Sequence, residues 1–499
     1  MELQFNKTLI PCLQWDVNAV QNQELTQEIR LSDDMPDIGH VVAAWGQILL
    51  RGKEWHSGSV GVTGGVMAWI LYQPEEGGLP QSIETWLPFQ MQWDYPDNGK
   101  DGRILTKSLL RSMDARSTSA RKLIVRAGVG IRCQAVTQQE ALVYTPGQLL
   151  QDIQIHKKTY PISFPSEAGE QQYVLDEELT LPASGVKAEK LIYYKLHPEI
   201  VDQKVLAGKV VFRGVAILHM LYSMEDGTLS SWDFDIPFSQ YTDLDRAYSE
   251  SAIPSVSCEV TNLELDLNPE GSIRLKASLT GQYLIYDQTS LEIIDDAYSP
   301  MRPVTPQFAQ LEIPVILERN CDLLSADESL AASYGKGVDV CCLIDHPQVL
   351  RDGDGVNAEI PMAFQSLYYD TDGNLKCASI RTEKHWELPV DESCDVTVSC
   401  ALSGKPQAAV AEGGASLRLD CQVESVVHAS QGLCAAYSLL ADEAQAPDPQ
   451  RPSLILRKVG DNTLWELAKG CGSTVDEIMK ANHLQGEPLV DQMILIPVI

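Results

Sequence analysis

Apolar runs interrupted at every second position recur along the chain up to Ala441 and predict strands rather than helices. Leu123 to Ala127, Ile273 to Ala277 and Leu417 to Cys421 each place charged residues between apolar ones at a period of two. A half-exposed strand has this period because successive side chains point to opposite faces of a sheet. In this part of the chain helical periodicity is weak, and only Lys107 to Ala120 is predicted to be helical there. The pattern therefore predicts a mainly β chain.

A longer pattern recurs three times. Leu71-Tyr72, Leu221-Tyr222 and Leu367-Tyr368 each end an apolar run, at spacings of 150 and then 146 residues. An acidic-glycine turn follows each pair, and a strand that ends at a proline follows each turn. Glycine supplies positive φ at such turns, and proline ends strand pairing because it has no N–H. Each copy is therefore predicted to contain a β-hairpin, with its tyrosine at an equivalent strand position.

These repeats divide the chain into segments. The predicted segments are three β-rich, sandwich-like repeats at 1–147, 148–303 and 304–441, a linker at 442–452, and a C-terminal module at 453–499. The linker is rich in proline and small polar residues, a composition that favours a semi-stiff spacer rather than a core. We therefore expect few contacts across it and a separable module.

The C-terminal module has the pattern strand, helix, helix, strand. Leu454 to Val459 is apolar and β-prone, and Asp461-Asn462-Thr463 offers N-cap side chains to a first helix. Gly470 and Gly472 are predicted to end that helix. The second helix begins with a capping-box spacing at Thr474, and Pro497 is expected to end the last strand. The predicted core is Leu456, Leu464, Leu467, Ile478, Leu484, Ile494 and Ile496.

This module resembles the LysM family, a βααβ fold best known for binding N-acetylglucosamine polymers. Asp461 to Trp465 matches the family's Gly-Asp-Thr-Leu-Trp, and further matches are Ala468, Ala481-Asn482 and Gln492 to Pro497. Asp461 stands where the family has glycine, Asn462 where it has aspartate, and Asp491 where glycine usually precedes the glutamine. The resemblance implies the fold, whereas these departures put the inherited glycan ligand in question.

The resemblance also indicates where a ligand or partner would bind. The predicted binding groove consists of Asp461, Asn462, Thr463, Leu484, Gln485, Gly486 and Glu487. Asp461 adds a carboxylate where a glycine would let a sugar approach the backbone, so we expect a basic protein surface to bind better than glycan. The alternative, that these residues only cap helices, stays open. Trp465 is expected to pack in the core or at an edge rather than to form a glycan platform.

Three mainly β repeats followed by a LysM module resemble the SPOCS-domain proteins of spore-forming Firmicutes. That resemblance implies a non-enzymatic spore-coat protein in the cytoplasm of the mother cell, at the forespore surface. It also implies that the LysM module binds a coat-basement ATPase (SpoIVA-like) rather than glycan. Two alternatives are a peptidoglycan- or N-acetylglucosamine-binding wall protein and a wall hydrolase with a LysM tail.

Composition narrows these alternatives. The net charge is −31, from 38 basic and 69 acidic residues, which disfavours nucleic acid and anionic membranes because both require basic surfaces. No signal peptide and no transmembrane helix are expected, since neither a basic segment leading into an apolar stretch nor a long apolar run occurs. The twelve cysteines include no Cys-x-x-Cys pair and are predicted to be buried or free thiols in a reducing compartment.

No constellation for catalysis, cofactor binding or metal binding is predicted. The glycine-rich segment Gly58 to Gly65 lacks the lysine of a phosphate-binding loop, and a strand-rich loop is expected there. Asp352 to Gly355 and Asp370 to Asn374 look like calcium loops but lack the glutamate that completes one, so both are predicted to be hairpin turns. Cys341 and Cys342 should point to opposite faces of a strand, a poor geometry for a shared metal.

Overall fold

The computed structural model describes residues 2–97, 99–145, 150–182, 187–268, 271–351, 355–391, 394–444, 450–488 and 490–499. Strands dominate up to Ala441, and the helices of these residues lie in the C-terminal module. The predicted fold class, mainly β repeats followed by a small α+β module, is confirmed. The proposed linker lies partly outside the described residues, and the segment boundaries remain predictions.

The first two repeats have the same six-stranded architecture. Strands of the first are β2 (Asn6–Arg30), β3 (Ile38–His56), β4 (Ser59–Pro74), β5 (Gln81–Asp94), β6 (Gly102–Ser119) and β7 (Lys122–Thr145). Strands of the second are β8 (Gln154–Thr180), β9 (Ala188–Leu206), β10 (Lys209–Met224), β11 (Leu229–Asp243), β12 (Ile253–Leu267) and β13 (Ser272–Tyr298). In each, the three middle strands form one antiparallel sheet, and the last strand pairs with both the first and the fifth.

The third repeat follows the same plan with one short extra strand. Its strands are β14 (Val304–Ala331), β15 (Tyr334–Ile344), β16 (Gln348–Arg351), β17 (Val356–Asp370), β18 (Leu375–Leu388), β19 (Asp395–Ala411) and β20 (Gly414–Ala441). The N-terminal strand β1 (Glu2–Gln4) pairs with the end of β20, so the start of the chain joins the third repeat. In each repeat the two sheets share a buried apolar core, and we call the repeats the first, second and third sandwich.

Glycine closes the corresponding hairpin of each sandwich. Gly77, Gly227 and Gly373 have φ angles of 81°, 81° and 83°, a left-handed conformation that disfavours any side chain. In the third hairpin, Asp370 Oδ1 accepts hydrogen bonds from the backbone N–H groups of Asp372 and Asn374. The predicted turn at this segment is confirmed. Asp352 to Asp354, the other turn prediction, lie outside the described residues.

The Leu-Tyr pairs serve two different cores. Tyr72, Tyr222 and Tyr368 each lie two residues before the end of the central strand of their sandwich, so their predicted equivalence is confirmed. Tyr72 and Tyr368 are buried in the cores of their own sandwiches. The three preceding leucines instead join one cluster to which all three sandwiches contribute. Adjacent strand residues face opposite sides, so the first and third pairs each connect an internal core to a junction, whereas Leu221 and Tyr222 both lie in the shared cluster.

A second shared core joins the long outer strands. Cys12 of β2, Ile162 of β8 and Val315 of β14 are all buried in it, and each directly follows a proline. The last strands β7, β13 and β20 supply apolar residues to the same cluster. Apolar surface removed from water stabilises the association in proportion to its area. The three sandwiches are therefore fused by common cores rather than strung together as separate domains.

The segment Lys107 to Ala120 belongs to strand β6 up to Ser119, so the prediction of a helix there is wrong. β6 has a register shift between Leu110 and Ser112 where it pairs with β7. A bulge of this kind inserts one residue and moves the following side chains to the other face. Leu110 and Met113 consequently face the same core although they are three residues apart, a spacing that resembles a helix in the sequence.

The C-terminal module is a βααβ unit, as predicted. Its elements are β21 (Leu454–Lys458), α1 (Leu464–Cys471), α2 (Val475–Asn482) and β22 (Met493–Pro497), with the two strands antiparallel. Thr463 and Thr474 are the N-caps, and the full capping box forms at Thr463 with Glu466. Gly472 ends α1 in the left-handed conformation, whereas Gly470 lies within the helix and does not end it.

One predicted core residue of the module is wrong. Leu456 is exposed, and Ile455 packs against the core instead. Ile455 pairs with Ile496 on the inner face of the sheet, so Leu456 and its partner Leu495 face outward. The other predicted members, Leu464, Leu467, Ile478, Leu484, Ile494 and Ile496, all lie in or against the core. Leu454, Ile455 and Leu456 are all apolar, so the sequence does not show which of them faces the core, and this explains the error.

Candidate partner-binding site on the LysM-like module

The two predicted loops meet at the N-terminus of α1. Glu487 Oε2 accepts a hydrogen bond of 2.9 Å from the backbone N–H of Leu464. Glu466 Oε2 accepts one of 2.9 Å from the N–H of Thr463, which completes the capping box. Exposed residues around this point are Asp461, Asn462, Thr463, Gln485, Gly486 and Glu487, and Leu484 is half-buried beside them. The predicted groove residues are therefore brought together, while their role in binding remains a prediction.

The surface formed by these loops is acidic. Asp461, Glu466 and Glu487 place three carboxyl groups around the start of α1. A backbone hydrogen bond from Thr463 lowers the pKa of Glu466, so this group is a carboxylate at neutral pH. The positive end of the helix dipole favours carboxylates at this position. The arrangement suits a basic group of a partner better than an anionic ligand.

The opposite side of α1 lies against the second sandwich. Trp465 Nε1 donates a hydrogen bond of 2.8 Å to Asp296 Oδ2, and Lys469 Nζ lies 2.7 Å from both carboxylate oxygens. The Trp465 ring packs edge-on against Tyr298 at 4.8 Å between centroids and tilted against His156 at 5.0 Å. The expectation of edge packing for Trp465 is confirmed, and the expectation of few contacts across the linker is wrong.

Tyr298 and Asp296 of the second sandwich hold the module in different ways, the first by packing in its core and the second by polar contacts. Tyr298 is buried within the apolar cluster of the module, and its hydroxyl donates to the carbonyl of Ser473 at 3.0 Å. Burial raises the pKa of Asp296, but the hydrogen bonds from Lys469 and Trp465 outweigh burial and hold it below its usual value. Sequence reasoning missed these residues because α1 is more than 160 positions away from them.

Asp491 shows why its position usually carries glycine. Its φ is +70°, in the left-handed region that glycine adopts without strain. The side chain forms an ion pair of 2.7 Å with Lys458, and its backbone N–H donates to the carbonyl of Val459. This departure from the LysM pattern therefore keeps the backbone geometry and adds a surface ion pair at the end of the sheet.

Sequence reasoning also missed a polar junction between the second and third sandwiches. His219 Nδ1 lies 2.7 Å from Asp233 on the neighbouring strand, and Nε2 lies 3.0 Å from Asp339 of the third sandwich. Burial lowers the pKa of His219, but the two carboxylates outweigh it and raise the pKa to about 9. The imidazolium is therefore the stable form at neutral pH and joins the two sandwiches electrostatically.

The described part of the chain offers no cluster of three or more histidine, cysteine or acidic residues suited to a metal ion. All twelve cysteines lie among the described residues, and each is a free thiol. Cys341 belongs to the cluster shared by the sandwiches and Cys342 to the core of the third, so the prediction that they face opposite sides is confirmed. None of the helices described is long and apolar enough to span a membrane.

The fold and the module define a repeat protein of β-sandwiches that carries a small ligand- or partner-binding domain. Residues 187–268 match the family model described as SipL, SPOCS domain, and residues 458–497 match the LysM domain. The first match covers β9 to β12 of the second sandwich, and the second covers most of the C-terminal module. No curated protein and no solved structure matches the chain.

The chain is thus similar to SipL-like proteins that combine SPOCS and LysM domains. The two domains indicate a sporulation protein with a LysM module of the peptidoglycan-binding class. Both are typically non-catalytic binding domains, and no enzyme family is indicated.

Proposed function

We propose that this chain is a non-enzymatic assembly protein of the spore coat. The three sandwiches form the scaffold, and the LysM-like module docks on a coat morphogenetic protein, the SpoIVA-like coat-basement ATPase. The protein would then act in the cytoplasm of the mother cell, at the forespore surface. The SPOCS and LysM matches in one chain support the sporulation setting.

The observation that carries the docking role is the division of surfaces on the module. The tryptophan side of α1 is engaged by Asp296, Tyr298 and His156, so its indole is not available as a stacking platform for sugar rings. The remaining loop surface presents Asp461 and Glu487, and carboxylates there favour a basic protein surface. A scaffold fused to a module held in one orientation suits a protein that bridges two layers.

Binding measurements on the full-length chain test the proposal. Calorimetric titration with the purified coat-basement ATPase should give a Kd of ~1 µM or tighter, a range typical of specific protein contacts. Titration with chito-oligosaccharides under the same conditions should give weaker binding. Sugar binding in that range without protein binding would overturn the proposal and favour the peptidoglycan-binding alternative, which the LysM match itself supports.

Charge variants identify the surface involved. The double variant Asp461→Asn and Glu487→Gln removes two negative charges while keeping hydrogen-bond acceptors, so the N-terminus of α1 should stay capped. We expect the affinity for the coat-basement ATPase to fall and its salt dependence to weaken. Asp266→Asn, an exposed acid on β12, is the matched control and should leave both unchanged. If both variants bound the ATPase with the same affinity and salt dependence, the loop surface would be excluded as the docking site.

A further inference from the structure

The outer face of the module's two-stranded sheet is apolar and uncovered. Leu454, Leu456, Met493 and Leu495 are exposed by 52%, 62%, 52% and 37%. The register places them side by side, with Leu456 opposite Leu495 and Met493 opposite Lys458. Large apolar side chains scattered singly are ordinary on a protein surface, whereas a contiguous set indicates an interaction site.

One edge of this sheet is closed and the other is open. The side-chain amide of Asn482 bonds both backbone groups of Leu495, at 2.7 Å and 2.6 Å, and so occupies the edge of β22 as a strand would. On β21, the residues flanking the strand, Ser453 and Val459, hydrogen-bond towards β22. The antiparallel pattern then directs the backbone groups of Leu454, Leu456 and Lys458 away from β22. Among the described residues, β22 alone pairs with β21.

Charge along this edge differs from the rest of the chain. Residues 450–460 contain Arg451, Arg457 and Lys458 and no acidic residue, in a chain whose net charge is −31. Arg451 is bound to the carbonyl of Cys471 and Lys458 to Asp491, whereas Arg457 makes a long contact of 3.9 Å to Cys471 Sγ. An approaching strand would therefore meet apolar side chains on the outer face of the sheet and the Arg457 guanidinium on the opposite face.

We propose that β21 accepts an extended strand of a partner protein by β-augmentation. The strand would carry apolar residues at alternate positions, over Leu454 and Leu456, and an acidic residue beside Arg457. Backbone pairing supplies affinity in this mode, and the alternating side chains supply specificity. The inference rests on the proposed docking function and names the strand edge through which the same partner binds. A second copy of this chain is disfavoured because two chains of charge −31 repel each other.

The test uses the full-length chain and the purified coat-basement ATPase as the probe. The variant Leu456→Glu places a carboxylate in the apolar face, where the apolar residues of the partner strand would have to cover it. Leu323→Glu on β14 is the matched control, since Leu323 is also 62% exposed. We expect the Kd to weaken about tenfold or more for Leu456→Glu, as for a central contact residue, and to be unchanged for Leu323→Glu. Thermal unfolding of both variants confirms that the module stays folded.

Hydrogen exchange on the wild-type complex distinguishes this inference from the broader proposal. Strand addition should slow exchange of the backbone N–H groups of Leu454, Leu456 and Lys458 when the probe binds. Binding without that protection, and with full affinity for Leu456→Glu, would overturn the strand-edge inference while leaving the docking function intact. No binding of the probe by the wild-type chain would overturn the docking function itself, and the strand-edge inference with it.

Discussion

The indole N–H of Trp465 donates to Asp296 across 2.8 Å, and through this bond the C-terminal module is seated on the second sandwich. Lys469 binds the same carboxylate, and Tyr298 enters the core of the module. A module on a polar, proline-bearing linker would otherwise sample many orientations. The contact with Asp296 fixes the orientation of the module, so that its acidic loops and the apolar face of its sheet point outward.

Asp296→Asn should weaken the contact between the C-terminal module and the second sandwich. The amide keeps one acceptor for Trp465 but loses the charge that holds Lys469, and removing a charged hydrogen-bond partner costs about 1–3 kcal/mol. We expect faster hydrogen exchange at Tyr298 and in α1, with the sandwiches unaffected. Asp114→Asn, an exposed acid on β6, is the control and should exchange as the wild type does.

The same contact should depend on pH. The pKa of Asp296 is lowered in the folded chain, so its contribution is complete above the ordinary carboxyl range and is lost as the pH falls through the folded value. The protection of α1 against exchange, relative to the intrinsic rate at each pH, should therefore fall at acidic pH in the wild type. In Asp296→Asn this part of the acid response should be absent; an identical response in both chains would contradict the assignment.

Deleting residues 452–499 should leave the sandwiches folded and abolish localisation to the coat. The cores of the sandwiches contain no residue of the module, so they persist without it. The deletion does expose Tyr298 and removes the partners of Asp296, so a slightly lower melting temperature is expected. Circular dichroism and fluorescence microscopy of a tagged chain in sporulating cells measure the two outcomes. Correct localisation of the truncated chain would contradict the docking role of the module.

The junction at His219 should weaken at alkaline pH. Its folded pKa is raised to about 9 from an unfolded value of 6.5, so its stabilising effect is complete below pH 6.5 and is lost as the pH rises through 9. The melting temperature of the wild type should fall across this window more steeply than that of His219→Gln. Parallel profiles for the two chains would show that the imidazolium does not link the sandwiches.

Leu367→Ala should destabilise the whole assembly rather than one sandwich. Leu367 is buried in the cluster shared by all three sandwiches, and truncating a buried leucine costs about 2–5 kcal/mol. Leu323→Ala, at an exposed site of the same sandwich, should stay within about 0.5 kcal/mol of the wild type. Denaturant unfolding measures both. A loss confined to probes in the third sandwich would contradict a common core.

Local chemistry in the sequence determined the individual elements. The acidic-glycine turns specify positive φ at Gly77, Gly227 and Gly373, and the period-two pattern specifies the strands beside them. Thr463 and Thr474 mark the helix starts through their own side chains. These features depend on neighbours a few residues away, so they can be read from the chain directly.

Tertiary structure decided how those elements face and join one another. The bulge after Leu110 gives strand β6 a helix-like spacing of apolar residues. Packing buries Ile455 rather than Leu456 in the core of the module. The seat of Trp465 on Asp296 and the cluster around Leu71, Leu221 and Leu367 join residues more than a hundred positions apart. Such contacts form because separate apolar faces are buried together, and a periodic pattern shows that a face is apolar but not which distant face will cover it.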